Sequence, residues 1–290
     1  MPFSWSDFLS QLKTKENDQT MPQPTNYFEF IDGVPVHYDR FAPPFGYGSK
    51  GRPHRFYCTP DFEAKLDAAF GELFDICPLG KAEVITSAGA YVDKPGMHSL
   101  GRSFDLDGIF WRGKSFVTLV DGGPGDRRFY QSVEAVLRRH FGTILNYDYN
   151  AAHRDHLHMD DGSPVGFDAY SRSRVLFLQG ALKCIFKKNI SITGTYGPTT
   201  RQETENALEE LNIPGSISSS ATWRRFLLET ARKGFNVPSV ARDLNPLESL
   251  HNIYEELRNH DDYEGRKAIE AAVNLFVNHP ETKEWLKRYR

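Results

Sequence analysis

Between Pro60 and Phe74, apolar residues recur at helical spacing, with Phe62, Leu66, Ala69, Phe70 and Leu73 on one face. Thr59 stands at the capping position and Pro60 at the first helical one, so a helix is predicted there. Glu83–Ser87 reads as a strand broken at Gly89, and Phe104–Trp111 alternates as a strand does. Ser115–Val120 reads as another strand, ahead of the turn Asp121-Gly122-Gly123-Pro124-Gly125. A helix is expected over Arg128–Phe141 with Val133, Val136, Leu137 and Phe141 inward, then two strands at Thr143–Leu145 and His156–Met159. Upstream, Asp32-Gly33 between alternating apolar residues signals a hairpin, and Pro43–Gly51 reads as a loop. Strands and helices mixed with short connections predict an α+β fold: a small, mainly antiparallel sheet with flanking helices.

Beyond Pro164 the period becomes helical throughout. Val175, Leu178, Leu182 and Ile185 mark one inward face. Gly194–Pro198 is a tight loop, and Thr200-Arg201-Gln202-Glu203 has the form of a capping box opening a second helix. Ser220–Trp223 opens a third, with Phe226 and Leu227 inward. Pro246–Leu257, Arg266–Val277 and a short segment from Pro280 are further amphipathic helices. The chain therefore divides into an N-terminal extension (1–26), an α+β domain (27–168), a helical domain (172–236) and a helical tail (237–290).

Composition narrows the function. A chain of 290 residues suits about two domains. A net charge of -3 leaves no basic footprint for nucleic acid. No run approaches the roughly 18 to 20 apolar residues that span a bilayer. Met1–Asp7 lacks the basic and apolar regions of a secretory signal, so none is expected. Cys58, Cys77 and Cys184 form no CxxC pair; Cys58 and Cys77 form a disulfide in an oxidising compartment, or all three are packed thiols.

The candidate chemistry lies in two stretches. His98 and Asp105 stand seven residues apart, and His153-Arg154-Asp155-His156-Leu157-His158-Met159-Asp160 follows some fifty residues on. Imidazole and carboxylate ligands suit Zn²⁺, with a carboxylate left over as a base. A continuous helix would separate His98 from Asp105 by about 10 Å. A straight strand would put them on opposite faces. They converge only if the chain bends, and Gly101 is the place for it. A lone histidine is more often a packed or solvated side chain, but here three histidines and three acids fall within residues 153–161. A rival reading, His156-x-His158-x-Asp160 as in metallo-β-lactamases, lacks the further histidine where Asp161 stands.

His98-x6-Asp105 followed by Asp155-x-x-His158 resembles the zinc D-Ala-D-Ala peptidases and related LAS-type cell-wall hydrolases. The nearer similarity is to the extensin-like C-terminal domain branch of that group. It is carried by Ile85-Thr86-Ser87-Ala88-Gly89-Ala90-Tyr91, His98–Asp105 and His153–Asp160. The resemblance implies zinc ligands at His98, Asp105 and His158, with Asp155 as the catalytic carboxylate. Three ligands leave a position for water, which Asp155 deprotonates as it attacks a peptide carbonyl. His156 or His153 then donates to the oxyanion, His156 being an alternative ligand, while Asp107 and Asp160 hold a histidine tautomer or act as turn acids. The chain departs from the family at Gly96, where a serine is common, and at Ala88–Tyr91, which lacks the substrate-binding arginine. Arg102 or Arg154 is the substitute.

Residues 172–232 resemble the three-helix peptidoglycan-binding module, most specifically at Tyr196-Gly197-Pro198-x-Thr200, without its usual Phe-Gln. The expectation is thus a zinc hydrolase of peptidoglycan peptides, of D,D-carboxypeptidase or endopeptidase type. Arg102, His153 and Tyr196 are the candidates for contact with stem peptides and glycan. The alternative is a non-catalytic wall-binding protein with a structural zinc. With no export signal read, delivery to the wall is expected by another route, such as a secretion machine or lysis.

Overall fold

A computed structural model describes residues 26–38, 53–93 and 95–236, all within one compact unit. The expected N-terminal extension, the Pro43–Gly51 loop and the helices beyond residue 237 lie outside the described residues.

In chain order the strands are β1 (Asn26–Phe28), β2 (Phe30–Ile31), β3 (Val34–Tyr38), β4 (Phe56–Cys58), β5 (Val84–Gly89), β6 (Ser103–Trp111), β7 (Lys114–Val117), β8 (Thr143–Leu145) and β9 (Leu157–Asp160). The helices are α1 (Pro60–Ile76), a single turn α2 (Thr118–Asp121), α3 (Arg128–Leu137), α4 (Arg172–Cys184), α5 (Pro198–Glu210) and α6 (Ser220–Gly234). β1 and β4 make a two-stranded ribbon. The main sheet runs β2-β3-β5-β6-β9-β8, with β7 also on β6, and only β3–β5 is parallel. The fold is mixed α and β, as an α+β reading requires.

Local rules account for much of this. Thr59 caps α1, its hydroxyl accepting from Phe62 N–H at 3.3 Å, and the apolar face is fully buried. Asp32 and Gly33 both take positive φ (46° and 70°), the type I′ turn whose twist matches a tight hairpin.

β6 is buried along all nine residues. Its register with β5 skips Asp107 on one strand and Ala88 on the other, and the Asp107 carboxylate accepts the Ala88 N–H at 2.6 Å. The irregularity changes which residues face the helices. Phe104 and Leu106 enter the main core before it, Ile109 and Trp111 after it, while Phe110 joins Val84 and Val117 in a small separate cluster. Phe104 is the hub, with Phe28, Phe56 and Phe70 rings 6.1–6.4 Å away. Each such ring contributes about 1.5–3 kcal/mol by leaving water.

α3 lies among α1, α4 and α6, which explains burial around most of its girth. Glycines allow the close approach: a Cβ on Gly234 of α6 would lie 2.0 Å from Ser132 Oγ of α3. The helical segment α4–α6 shares one apolar cluster with the sheet and α1.

The structure corrects several local expectations. The strand from Glu83 starts at Val84 and continues through Gly89. The strand from Ser115 ends at Val117, because the Asp121 carboxylate accepts the Val117 N–H and Thr118 donates to the Leu106 carbonyl, starting α2. α3 stops at Leu137, four residues early, as the Arg139 and His140 amides tighten onto the carbonyls three residues back, those of Val136 and Leu137. No capping box forms at Thr200: α5 begins at Pro198, and the Thr200 hydroxyl accepts from Gln179 instead. Gln179 also accepts the Thr193 and Gly194 amides and donates to the Thr195 carbonyl, so it shapes the whole 193–200 loop. The three cysteines are free thiols, Cys58 and Cys77 buried, and burial pushes Cys58 up to about 12.

Candidate metal centre

Three segments bring the donors together. A one-turn 3₁₀ helix, Met97–Leu100, carries His98. Gly101 ends it at φ 65°, a left-handed conformation that costs other residues about 1–2 kcal/mol, and this bend turns the chain into β6. Asp105 follows on β6, directly across from His158 of β9, so their side chains share a face.

His98 Nε2 lies 3.2 Å from both Asp105 Oδ1 and His158 Nδ1, and the last two atoms are 2.9 Å apart. Donors about 2.0–2.1 Å from a tetrahedral ion stand about 3.3 Å from one another, so this triangle has the size a small divalent cation requires.

The outer hydrogen bonds orient the rings. His98 Nδ1 bonds the Ala90 carbonyl, which can only accept, so Nδ1 carries the proton and Nε2 turns its lone pair inward. His158 Nε2 lies 3.1 Å from Asp160 Oδ2, leaving Nδ1 for the triangle, and Asp160 Oδ1 accepts from Gly162 N–H. Burial disfavours charge on His158, but the hydrogen bonds to Asp105 and Asp160 outweigh it and raise its pKa to about 9. Burial likewise opposes ionisation of Asp105, yet the His158 and His98 hydrogen bonds hold it well below the usual carboxylate range. The field at the triangle therefore favours a positive charge. The donor set fits a divalent cation.

The triangle opens into a cleft of about 640 Å³ between the Pro95–His98 and Ala151–His156 segments. Asp155 lies on its wall, its side chain 36% exposed and accepting from His156 Nδ1 at 2.8 Å. His156 precedes β9 instead of lying in it, and its Nε2 is 3.7 Å from Asp105 Oδ1, outside the tight triangle. With Nδ1 bonded to Asp155 Oδ1, Nε2 is the ring nitrogen that stands toward Asp105. His153 ends a 3₁₀ turn, bonded to Asn150 Oδ1 at 2.7 Å, with its ring 5.2 Å from that of His156. Burial and the neighbouring histidines push its pKa down to about 4.

Other residues singled out in the sequence lie elsewhere. Arg102 does not line the cleft: its guanidinium donates to Asp161, which also pairs with Lys65. Arg154 is exposed and sits over Tyr147. Tyr196 packs edge-on against Phe167, away from the cleft lining. Asp107 supports the β5–β6 irregularity and Asp160 orients His158, so the two second-row acids have different tasks. Sequence reasoning missed the Ala90 carbonyl, because a backbone acceptor leaves no mark in the sequence.

No curated protein and no solved structure matches the chain. Residues 85–167, which contain every residue lining the cleft, match the family model of the extensin-like protein C-terminus.

Proposed function

We propose that this protein is a zinc-dependent hydrolase of peptidoglycan stem peptides, of D,D-carboxypeptidase or endopeptidase type, with a LAS-type catalytic domain. The observation that carries the reading is the donor triangle with both histidine tautomers fixed, open to a cleft whose wall holds the unligated carboxylate Asp155. The extensin-like match covers the cleft residues, and the substrate class rests on the sequence resemblances of the two motif stretches and of 172–232.

His98, Asp105 and His158 would hold the zinc ion, which would supply Lewis acidity toward the carbonyl oxygen and the attacking water. Asp155 takes the proton of the attacking water and returns it to the departing amine. Asp160 and the Ala90 carbonyl keep the two histidines turned inward throughout. The His156–Asp155 contact favours a second assignment of the base, in which His156 Nε2 takes the proton and Asp155 orients the ring.

The test is metal analysis of the purified protein together with mass spectrometry of products from muropeptides. Asp155→Asn is expected to keep zinc and lower turnover by about 10²–10⁴-fold. His156→Gln with near-normal turnover supports Asp155 as the base; equal losses support the pair. A protein that binds zinc but cleaves no muropeptide supports a wall-binding protein with a structural zinc. A protein that binds no divalent metal sinks both readings.

A further inference from the structure

The β1–β4 ribbon alternates strictly. Phe28, Phe56 and Cys58 point into the core, while Tyr27 and Tyr57, which face each other across the ribbon, point outward. Their ring centroids lie 4.0 Å apart, and the two residues remain 42% and 38% exposed. Tyr91 extends the row, its ring 6.4 Å from Tyr57.

Two backbone ties link this row to the segments that carry the metal centre. Tyr57 stands two residues before Thr59, whose N–H bonds the carbonyl of Gly101, the bend behind His98. Tyr91 directly follows Ala90, whose carbonyl orients His98, and begins the segment that reaches the cleft at Pro95. At the far end of the row, Tyr27 borders a second cavity of about 400 Å³, within the range of small-ligand sites. Phe28, Glu29, Phe30, Arg55 and Glu63 complete it. Arg55 lies over the Tyr27 ring at 4.5 Å and 3.8 Å from Glu29, so this cation is matched by a carboxylate.

We infer that this row and its cavity bind a glycan strand, the sugar polymer that carries the stem peptides; this rests on the peptidoglycan reading above. A pyranose has an apolar C–H face and a rim of hydroxyls. Tyrosine offers a flat apolar face with a polar tip at low entropic cost, and the cavity supplies carboxylate acceptors and a guanidinium donor. A stem peptide is favoured less, because the cation at the row, Arg55 over Tyr27, already has Glu29 as its partner, and Tyr57 and Tyr91 offer aromatic surface without charge. The strand would run from the cavity over Tyr27, Tyr57 and Tyr91 to the cleft, placing an attached peptide at the metal.

Binding of chitopentaose, and of peptidoglycan glycan chains stripped of stem peptides, can be followed by titration calorimetry on the full chain with and without added zinc. Tyr57→Ala is expected to weaken binding at least tenfold, Tyr57→Phe to keep it, and Tyr27→Ala/Tyr57→Ala to abolish it with an unchanged thermal melt. Wild-type protein that binds neither glycan overturns the inference, as does a double variant that binds like wild type. Free stem peptide bound in a Tyr57-dependent way also overturns it. Cleavage is not read, so a protein that hydrolyses muropeptides while Tyr57→Ala leaves glycan binding intact loses only this inference. One that binds glycan through Tyr57 but cleaves nothing loses only the hydrolase reading.

Discussion

Asp160 does its work through another residue. It touches no donor of the triangle except His158, yet its hydrogen bond to Nε2 decides which nitrogen of that ring faces inward. Losing such an outer partner typically weakens metal binding 10–100-fold. Asp160→Ala is expected to fall in that range in a competition titration against a chromogenic chelator, with the fold intact by circular dichroism. Unchanged affinity would mean that the register of β9 alone orients the ring. Arg102 illustrates the opposite case. The sequence offers it as a substitute for the substrate-binding arginine missing at Ala88–Tyr91, but a guanidinium with a carboxylate in reach pairs with it, and Asp161 is in reach.

At the scale of elements, β6 and α3 organise the molecule. β6 carries Asp105 on one face and Phe104 on the other, so the strand that builds the core also places a donor. α3 is held by a fully buried ion pair. Arg138 donates to Glu134, to the Ile144 carbonyl of β8 and to the Ser173 carbonyl of α4, while Asn146 donates to both Glu134 oxygens. Burial raises the Glu134 pKa and lowers that of Arg138, the direction in which each loses charge, so neither tolerates losing its partner. Arg138→Met is expected to cost about 3–5 kcal/mol in urea denaturation, since it strands a buried carboxylate.

The link from α1 to the end of α3 is ionic. Glu72 pairs with Arg139 and His140, and although burial raises its pKa, those partners lower it overall. A folded pKa below the unfolded one means the stabilisation is complete above the ordinary carboxylate range. It is lost as pH falls through the lower, folded value. The stability gap between wild type and Glu72→Gln, about 1–2 kcal/mol at neutral pH, is therefore expected to close as the pH drops below about 4. A gap that persists in acid would assign the effect to packing.

For the whole molecule, the donors come from a 3₁₀ turn, β6 and β9, so a bound ion joins segments far apart in sequence. A ligand that binds only the folded state adds about 4 kcal/mol at a thousandfold excess over its Kd. Zinc should raise the melting temperature by about 10 °C, and a chelator should reverse it; a melt indifferent to both counts against the site. The sequence by itself determined what local rules decide. α1 follows from its cap and period, the Asp32-Gly33 turn from positive φ, and the bend at Gly101 from the impossibility of joining His98 to Asp105 along a regular element. It also limited the third donor to a short run of histidines and acids. Tertiary structure decided the rest. The β6–β9 register set His158, the third ligand that the family resemblance implies, directly opposite Asp105, Gln179 took the hydroxyl that Thr200 would have used as a cap, and Asp161 holds Arg102 outside the cleft lining. In each case the deciding partner lies 20 or more residues away, and a polar side chain goes to whichever acceptor or donor the packed chain brings within about 3 Å, a choice that spacing along the chain does not encode.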